Sequence, residues 1–248
     1  MENVIKNKVD TVIFDLGLSS IQLDNLKRGF SFKSKENLDM TMGLTDVSAE
    51  EVVNNLSESQ LNLIIKIFGE EKESSKIAKN IVIARSEKKI TRVDELVKII
   101  EKSKKKNLYN KINPSTKTFQ ALRIFVNKEI SELIAGVTIA TKLLKPGGKI
   151  LVVSFHSLED RIIKYFFSNY SKNKSKPSRY MPDEKNNSFL FEKFNKKVLR
   201  PSRDEVTRNN RSRSAKLRYA IRSKNKFIYP NNIYQKFNKY LEVEEINV

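Results

Sequence analysis

Two short apolar runs constrain the fold more than any other feature of the chain: Val9-Asp-Thr-Val-Ile-Phe14 and Lys149-Ile-Leu-Val-Val-Ser-Phe155. Both have the length and β-branched content of buried strands. The first ends at Asp15-Leu-Gly17 and the second at His156-Ser-Leu-Glu-Asp-Arg161. Ahead of the second run lie a long apolar helical pattern, from Phe119 through Leu122, Val126, Ile130 and Val137 to Ile139, and the turn Leu144-Lys-Pro-Gly-Gly148. Behind it, Ile162, Ile163, Phe166 and Phe167 keep helical spacing. Strand, helix, tight turn, strand, helix is the grammar of a parallel α/β sheet. Ligands of open α/β sheets sit beyond the carboxyl ends of the strands. Asp15 and the His156 cluster are therefore expected at one sheet edge.

Between the strands the pattern turns helical. Ser48-Ala-Glu-Glu51 reads as a capping box, Ser57 or Ser59 precedes Leu61 to Phe68, and Thr91-Arg-Val-Asp94 opens Leu96 to Ile100. This predicts a compact bundle of short helices, closed by a charged linker at Glu101–Lys106 and inserted between two strands. Pro114 suits the first turn of the next helix. Ser168 to Asn187 reads as a polar loop. Leu190–Leu199 and Ser214–Ile221 alternate as closing antiparallel strands would, and Ile233–Val248 reads as a short amphipathic helix. The division expected is a discontinuous core over 1–46 and 113–248, with a helical insert over 47–112.

Composition excludes several chemistries. With no cysteine and one histidine, the 248-residue chain holds no disulfide scaffold, Cys-ligated zinc, iron–sulfur cluster, thiol nucleophile or multi-His metal site. No run is long and apolar enough to span a membrane, and the first residues lack the apolar core of a secretory signal, so a cytoplasmic protein without membrane contact is expected. The net charge is +19, and Arg161–Lys226 alone carries 20 Lys/Arg against 5 Asp/Glu. Surface lysines can be plain solvation. Arg200, Arg203, Arg208, Arg211, Arg213, Arg218 and Arg222 weaken that reading, because guanidinium forks suit phosphate oxygens and a basic patch of this kind points to nucleic acid.

Five strings in order, Asp15-Leu-Gly-Leu-Ser-Ser-Ile-Gln-Leu-Asp24, Arg28-Gly-Phe-Ser-Phe32, Leu38-Asp-Met-Thr-Met42, Thr116-Lys-Thr-Phe-Gln-Ala-Leu-Arg123 and Ser154-Phe-His-Ser-Leu-Glu-Asp-Arg161, resemble the bacterial small-subunit rRNA (cytosine-N4)-methyltransferase H family. Gly69-Glu-Glu71, Ile77-Ala-Lys-Asn-Ile81, Pro146-Gly-Gly148 and Arg211-Ser-Arg-Ser-Ala-Lys-Leu-Arg218 match it as well. The resemblance implies a Rossmann-like class I methyltransferase core with an all-helical insert. It also implies S-adenosyl-L-methionine as cofactor, and methylation of the exocyclic amine of a decoding-region cytidine in 16S rRNA of the small ribosomal subunit. The family's opening strand and Gly-rich, His-containing cofactor loop have no counterpart here, so the core is expected to be partial, lacking the first three strands. Ile21, Asn113 and Lys117 depart from the family's usual Pro, His and Arg.

By resemblance, Asp15 and Gln22 line the cofactor site, and Asp15 is in place to accept a hydrogen bond from the target amine. His156, Asp160 and Arg161 are the other catalytic candidates: His156 for the released proton or for stacking on the base, Arg161 for a phosphate. Capping of the following helix is the plainer role for this cluster. Arg123 points either to substrate or to a buried carboxylate. Arg200, Arg203, Arg211 and Arg213 are expected on RNA. A cytosine in rRNA must be splayed from its stack, which makes Phe30 and Phe32 candidate platforms, with core packing the competing role. A noncatalytic rRNA-binding remnant is the alternative function. A homodimer is compatible with the sequence, and a sheet short of strands should make the isolated chain poorly soluble.

Overall fold

The computed structural model describes residues 8–43, 47–104, 113–172 and 189–248. In chain order the elements are β1 (Val9–Asp15), α1 (Ser20–Asp24), α2 (Ala49–Asn55), α3 (Glu58–Gly69), α4 (Ser74–Glu87), α5 (Val93–Ser103), α6 (Thr116–Val126), α7 (Glu129–Leu143), β2 (Leu144–Ser154), α8 (Ser157–Asn169), β3 (Phe191–Phe194), α9 (Arg203–Arg208), β4 (Lys216–Arg222) and α10 (Asn231–Glu244). The chain forms two compact units, Met1–Gly17 with Glu132–Asn238, and Leu18–Ser131 with Lys239–Val248. Among the described residues no helix is long and apolar enough to cross a membrane. The linker expected at Glu101–Lys106 falls partly outside the described residues, as does most of the loop expected over 168–187; Ser168 and Asn169 end α8 instead.

The first unit is built on a four-stranded mixed sheet of order β1-β2-β4-β3. β1 runs parallel to β2, whereas β4 is antiparallel to both β2 and β3. The Pro-Gly-Gly stretch is a bulge inside β2 rather than a turn before it: Val9 pairs with Leu144 and Thr11 with Lys149. Gly147 supplies the left-handed conformation the bulge needs, with φ 81°. The sheet's two faces differ. Ile150, Val152, Ala220 and Phe191 are buried, and Phe191 packs edge-on to Phe166 and Phe167 of α8, with ring centroids 5.6 and 5.3 Å away. Each such ring removed from water contributes about 2 kcal/mol. On the opposite face the paired rows Ile13, Leu151, Tyr219 and Val153, Leu217 are only half-covered, and Ile13 is 68% exposed.

The second unit is helical. Ser48 and Ser57 cap α2 and α3, each in a reciprocal capping box with Glu51 and Gln60. Leu61, Ile64, Ile65 and Phe68 of α3, Ile77, Ala78 and Ile81 of α4, and Val93, Leu96 and Ile100 of α5 form its core. The segment before α2 is tied into this unit: Leu38 N–H donates to Thr91 O, Val93 N–H to Glu36 O, and Ala49 N–H to Asp39 O. That is why residues 18–43 group with the helices here. Lys104 is not solvated linker, for it donates to Glu71 Oε2 and to the Pro114 carbonyl, both at 2.5 Å.

The apolar run from Phe119 to Ile139, expected as one long helix, is two. Asn127 ends α6, and Lys128 takes a left-handed φ of 47°. Apolar spacing continues across the break, so periodicity alone does not reveal it. At the far end of the chain, Glu244 is 2% exposed and its two oxygens accept the Ile130 and Ser131 N–H groups at 2.8 and 2.9 Å. The C-terminal helix thus caps the first turn of α7.

Candidate active site and basic face

The parallel pair β1 and β2 ends in register. Asp15 pairs with Val153, and Leu16 N–H donates to Val153 O at 3.0 Å. Gly17, with φ 86°, turns the chain away beside Phe155. Asp15 is exposed, and among the described residues no hydrogen bond or ion pair engages its carboxylate. His156 follows three positions after Asp15's strand partner and is the N-cap of α8. Its Nδ1 accepts the Glu159 N–H at 3.4 Å. Glu159 Oε2 reaches back to the Phe155 and His156 N–H groups at 2.9 and 3.2 Å, and its Oε1 lies 3.1 Å from His156 Nε2. Both side chains are nearly buried. The imidazole thus sits at the strand end beside the carboxylate of Glu159, a member of the acidic cluster expected there, and its Nε2 makes no hydrogen bond among the described residues. The His156-x-x-Glu159 spacing is that of a capping box.

Asp160 and Arg161 separate. Asp160 accepts from Arg218 Nε at 2.6 Å and Nη2 at 3.4 Å, and Lys216 Nζ lies 3.6 Å away, so its carboxylate ties α8 to β4. Burial acts to raise its proton affinity, but Arg218 and Lys216 together outweigh it and hold the carboxyl below its ordinary value. Arg161 is exposed on α8.

The basic stretch divides in the same way. Arg200, Arg203, Arg208, Arg211 and Arg213 are exposed, on the segment before α9, on α9 itself and on the 3-10 turn Asn210–Ser214. Arg218 and Arg222 are buried, which removes them from any surface array. Arg222 donates to the carbonyls of Leu190, Ser223 and Asn225, and desolvation lowers its pKa.

In the helical unit, Gln22 sits in α1, where its Oε1 accepts the Ser19 N–H at 2.9 Å in a capping box. Arg123 makes a two-pronged pair with Glu129, at 2.6 and 2.8 Å, the buried-carboxylate alternative. Phe30 is 6% exposed and packs in the core, whereas Phe32 is half-buried and lies edge-on to Phe119. The Leu38–Met42 segment is held rigidly. Met40 is buried at a left-handed φ of 60°, Asn127 donates to its carbonyl and accepts the Met42 N–H, and Arg28 donates to Thr41 O. Asn127 was not singled out from the sequence, which gives no sign of a contact across 85 residues.

Residues 1–223 match the MraW methylase family. The chain belongs to that family. Among curated relatives, the ribosomal RNA small subunit methyltransferase H of Bartonella bacilliformis is 46% identical over 90% of this chain and 67% of its own length. Proteins of the same name from Ehrlichia canis and Sinorhizobium fredii are 47% and 43% identical, over 70% and 65% of their own lengths. The chain thus spans about two-thirds of the MraW relatives it matches, and α10 lies beyond the family-matched residues.

Proposed function

We propose that this chain carries the RNA-facing part of an rRNA methyltransferase that transfers a methyl group to the N4 amine of a small-subunit rRNA cytidine. The observation that carries the reading is the junction of an unengaged Asp15 carboxylate and an oriented His156 at the C-terminal ends of two parallel strands, within a family-matched sequence. An exposed acid beside a glycine turn fits S-adenosyl-L-methionine or the amine it would methylate; when bound, that cofactor supplies an electrophilic methyl on a sulfonium. Gln22 is the second cofactor contact proposed. Asp15 accepts a hydrogen bond from the cytosine amine and holds it in line, and His156 takes up the released proton at Nδ1, once that nitrogen gives up the Glu159 N–H. Glu159 is a positioning residue for that imidazole, and Asp160 braces α8 against β4. Arg161, Arg200, Arg203, Arg211 and Arg213 bind phosphates; Arg123, paired with Glu129, is not among them.

The sheet supports the partial-core reading. β1 is an edge strand among the described residues, Ile13 stands 68% exposed, and the face it lies on is apolar and half-covered. Further strands pairing along β1, with helices over that face, would complete a class I core, and the helices from α2 to α5 would be its insert. Calorimetric titration of the chain with S-adenosyl-L-methionine, alongside binding to small-subunit rRNA, tests the proposal. Binding of both, with methyl transfer lost in Asp15→Ala, is the expected outcome. RNA binding without any cofactor binding would establish the noncatalytic remnant instead, and full turnover by the Asp15 variant would remove Asp15 from the chemistry.

A further inference from the structure

Beyond the family-matched residues, the first unit carries an aromatic feature that the reading above does not use. Tyr229 is 56% exposed. One face of its ring lies flat on Tyr234, with centroids 5.8 Å apart and planes 11° from parallel. Its hydroxyl donates to the Tyr234 hydroxyl at 3.0 Å. The pair is set rigidly at the start of α10: Asn231 N–H donates to Tyr229 O, Ile233 N–H to Pro230 O, and Pro230 and Ile233 are buried. Burial pushes the Tyr234 phenol up to about 12. Lys224 and Lys226, a few residues earlier in the chain, and Lys236, just after Tyr234, are all exposed.

An exposed tyrosine normally loses side-chain freedom when it packs against a ligand. Here that freedom is already lost to Tyr234, and among the described residues no further aromatic ring stacks on Tyr229. An exposed, fixed tyrosine ring in a lysine-bearing segment offers the pairing that single-stranded nucleic acid requires, since bases stack on the ring while phosphates meet lysines.

We propose that Tyr229 is a stacking platform for an unpaired nucleobase of the RNA substrate, with Lys224 and Lys226 on the adjoining phosphates. This rests on the RNA-binding reading and adds to it a base contact supplied by the segment beyond the family-matched residues. The contact is sequence-tolerant, because every base offers a π-face.

The test is binding of the full chain to a fluorescent single-stranded ribo-oligonucleotide, and to an abasic oligonucleotide of equal length. Tyr229→Ala should weaken binding to the base-bearing strand by about five-fold or more, the lower end of what one base–aromatic stack supplies. It should leave the abasic strand and the salt slope unchanged, and Tyr229→Phe should bind as the unaltered chain does. Replacing Lys224 and Lys226 with Ala should reduce the salt slope by roughly 1 to 2. Equal affinity of Tyr229→Ala and the unaltered chain for the base-bearing strand would overturn the platform. If the joint replacement Arg200→Ala, Arg203→Ala, Arg213→Ala still weakens binding in that case, the RNA reading survives; if the unaltered chain binds neither strand, both fall.

Discussion

Glu244 offers a prediction whose size follows from the structure. Its carboxylate is buried at the start of α7, and burial, with the nearby Glu129 charge, pushes its pKa up from 4.5 to about 7 against the pull of the Ile130 and Ser131 N–H groups. At pH 4 the group is protonated in folded and unfolded chains alike. As pH rises from 4.5 towards 7 the unfolded chain releases the proton first, so stability is lost, and the loss is complete above pH 7. The difference between 4.5 and about 7 corresponds to about 3 kcal/mol. The positive end of α7 favours the anion by up to about 2 kcal/mol, so a net loss of about 1 to 3 kcal/mol is expected. Glu244→Gln keeps the shape and removes the titration; its mismatch with one N–H group is independent of pH. Subtracting its unfolding free energy from that of the unaltered chain, across pH 4.5 to 8, cancels every other titrating group. Hydrogen exchange at the Ile130 and Ser131 amides, corrected for intrinsic rate, reports the same opening locally. A difference that stays flat, or that rises with pH, would show that the helix end outweighs desolvation and would refute the reasoning.

Arg218→Met strands Asp160 with only the longer Lys216 contact and should cost about 3 kcal/mol in denaturant unfolding, the lower end for a broken buried pair. Because the folded Asp160 pKa is depressed, the pair's contribution is present above the unfolded value of 3.8 and fades as pH falls through the folded one. Ile13→Lys places a charge on the exposed row of the β1 edge strand and should raise the soluble, monomeric fraction of the isolated chain in size-exclusion chromatography; unchanged aggregation would mean that this face is not the sticky one. Replacing Arg200, Arg203 and Arg213 together with Ala should flatten the slope of log K against log salt by roughly 2 for single-stranded RNA, with little change in unfolding.

What was legible in the sequence was local or periodic. The strand ending at Asp15, the strand ending before His156 and the capping serines at 48 and 57 all follow from patterns a few residues long, and each is present. What was not legible depends on partners far along the chain. Asp160 looked like one more acid in a catalytic-looking cluster until Arg218, 58 residues on, was seen to take it. The break at Asn127 hides inside an apolar pattern that continues unbroken, because it is made by an amide bonded to Met40 and Met42. Glu244 in sequence is an ordinary acid near a helix end; its burial comes from the α7 terminus it covers.

The period of a strand also decides which arginines meet RNA. In β4 the residues 218, 220 and 222 share the buried face, so Arg218 and Arg222 enter the interior and must be answered there, one by a carboxylate and the other by carbonyls. Arg200, Arg203 and Arg213 precede the strand, in a connecting segment, a short helix and a 3-10 turn, where no such alternation forces them inward. A guanidinium that folding has already paired cannot release counterions from RNA, so a count of basic residues overstates the binding surface. Stability and salt dependence therefore belong to different arginines only a few residues apart. Substitution at 218 should move the first and not the second, and substitution at 200, 203 and 213 the reverse, a separation that neither a uniformly solvated basic face nor a uniformly structural one would produce.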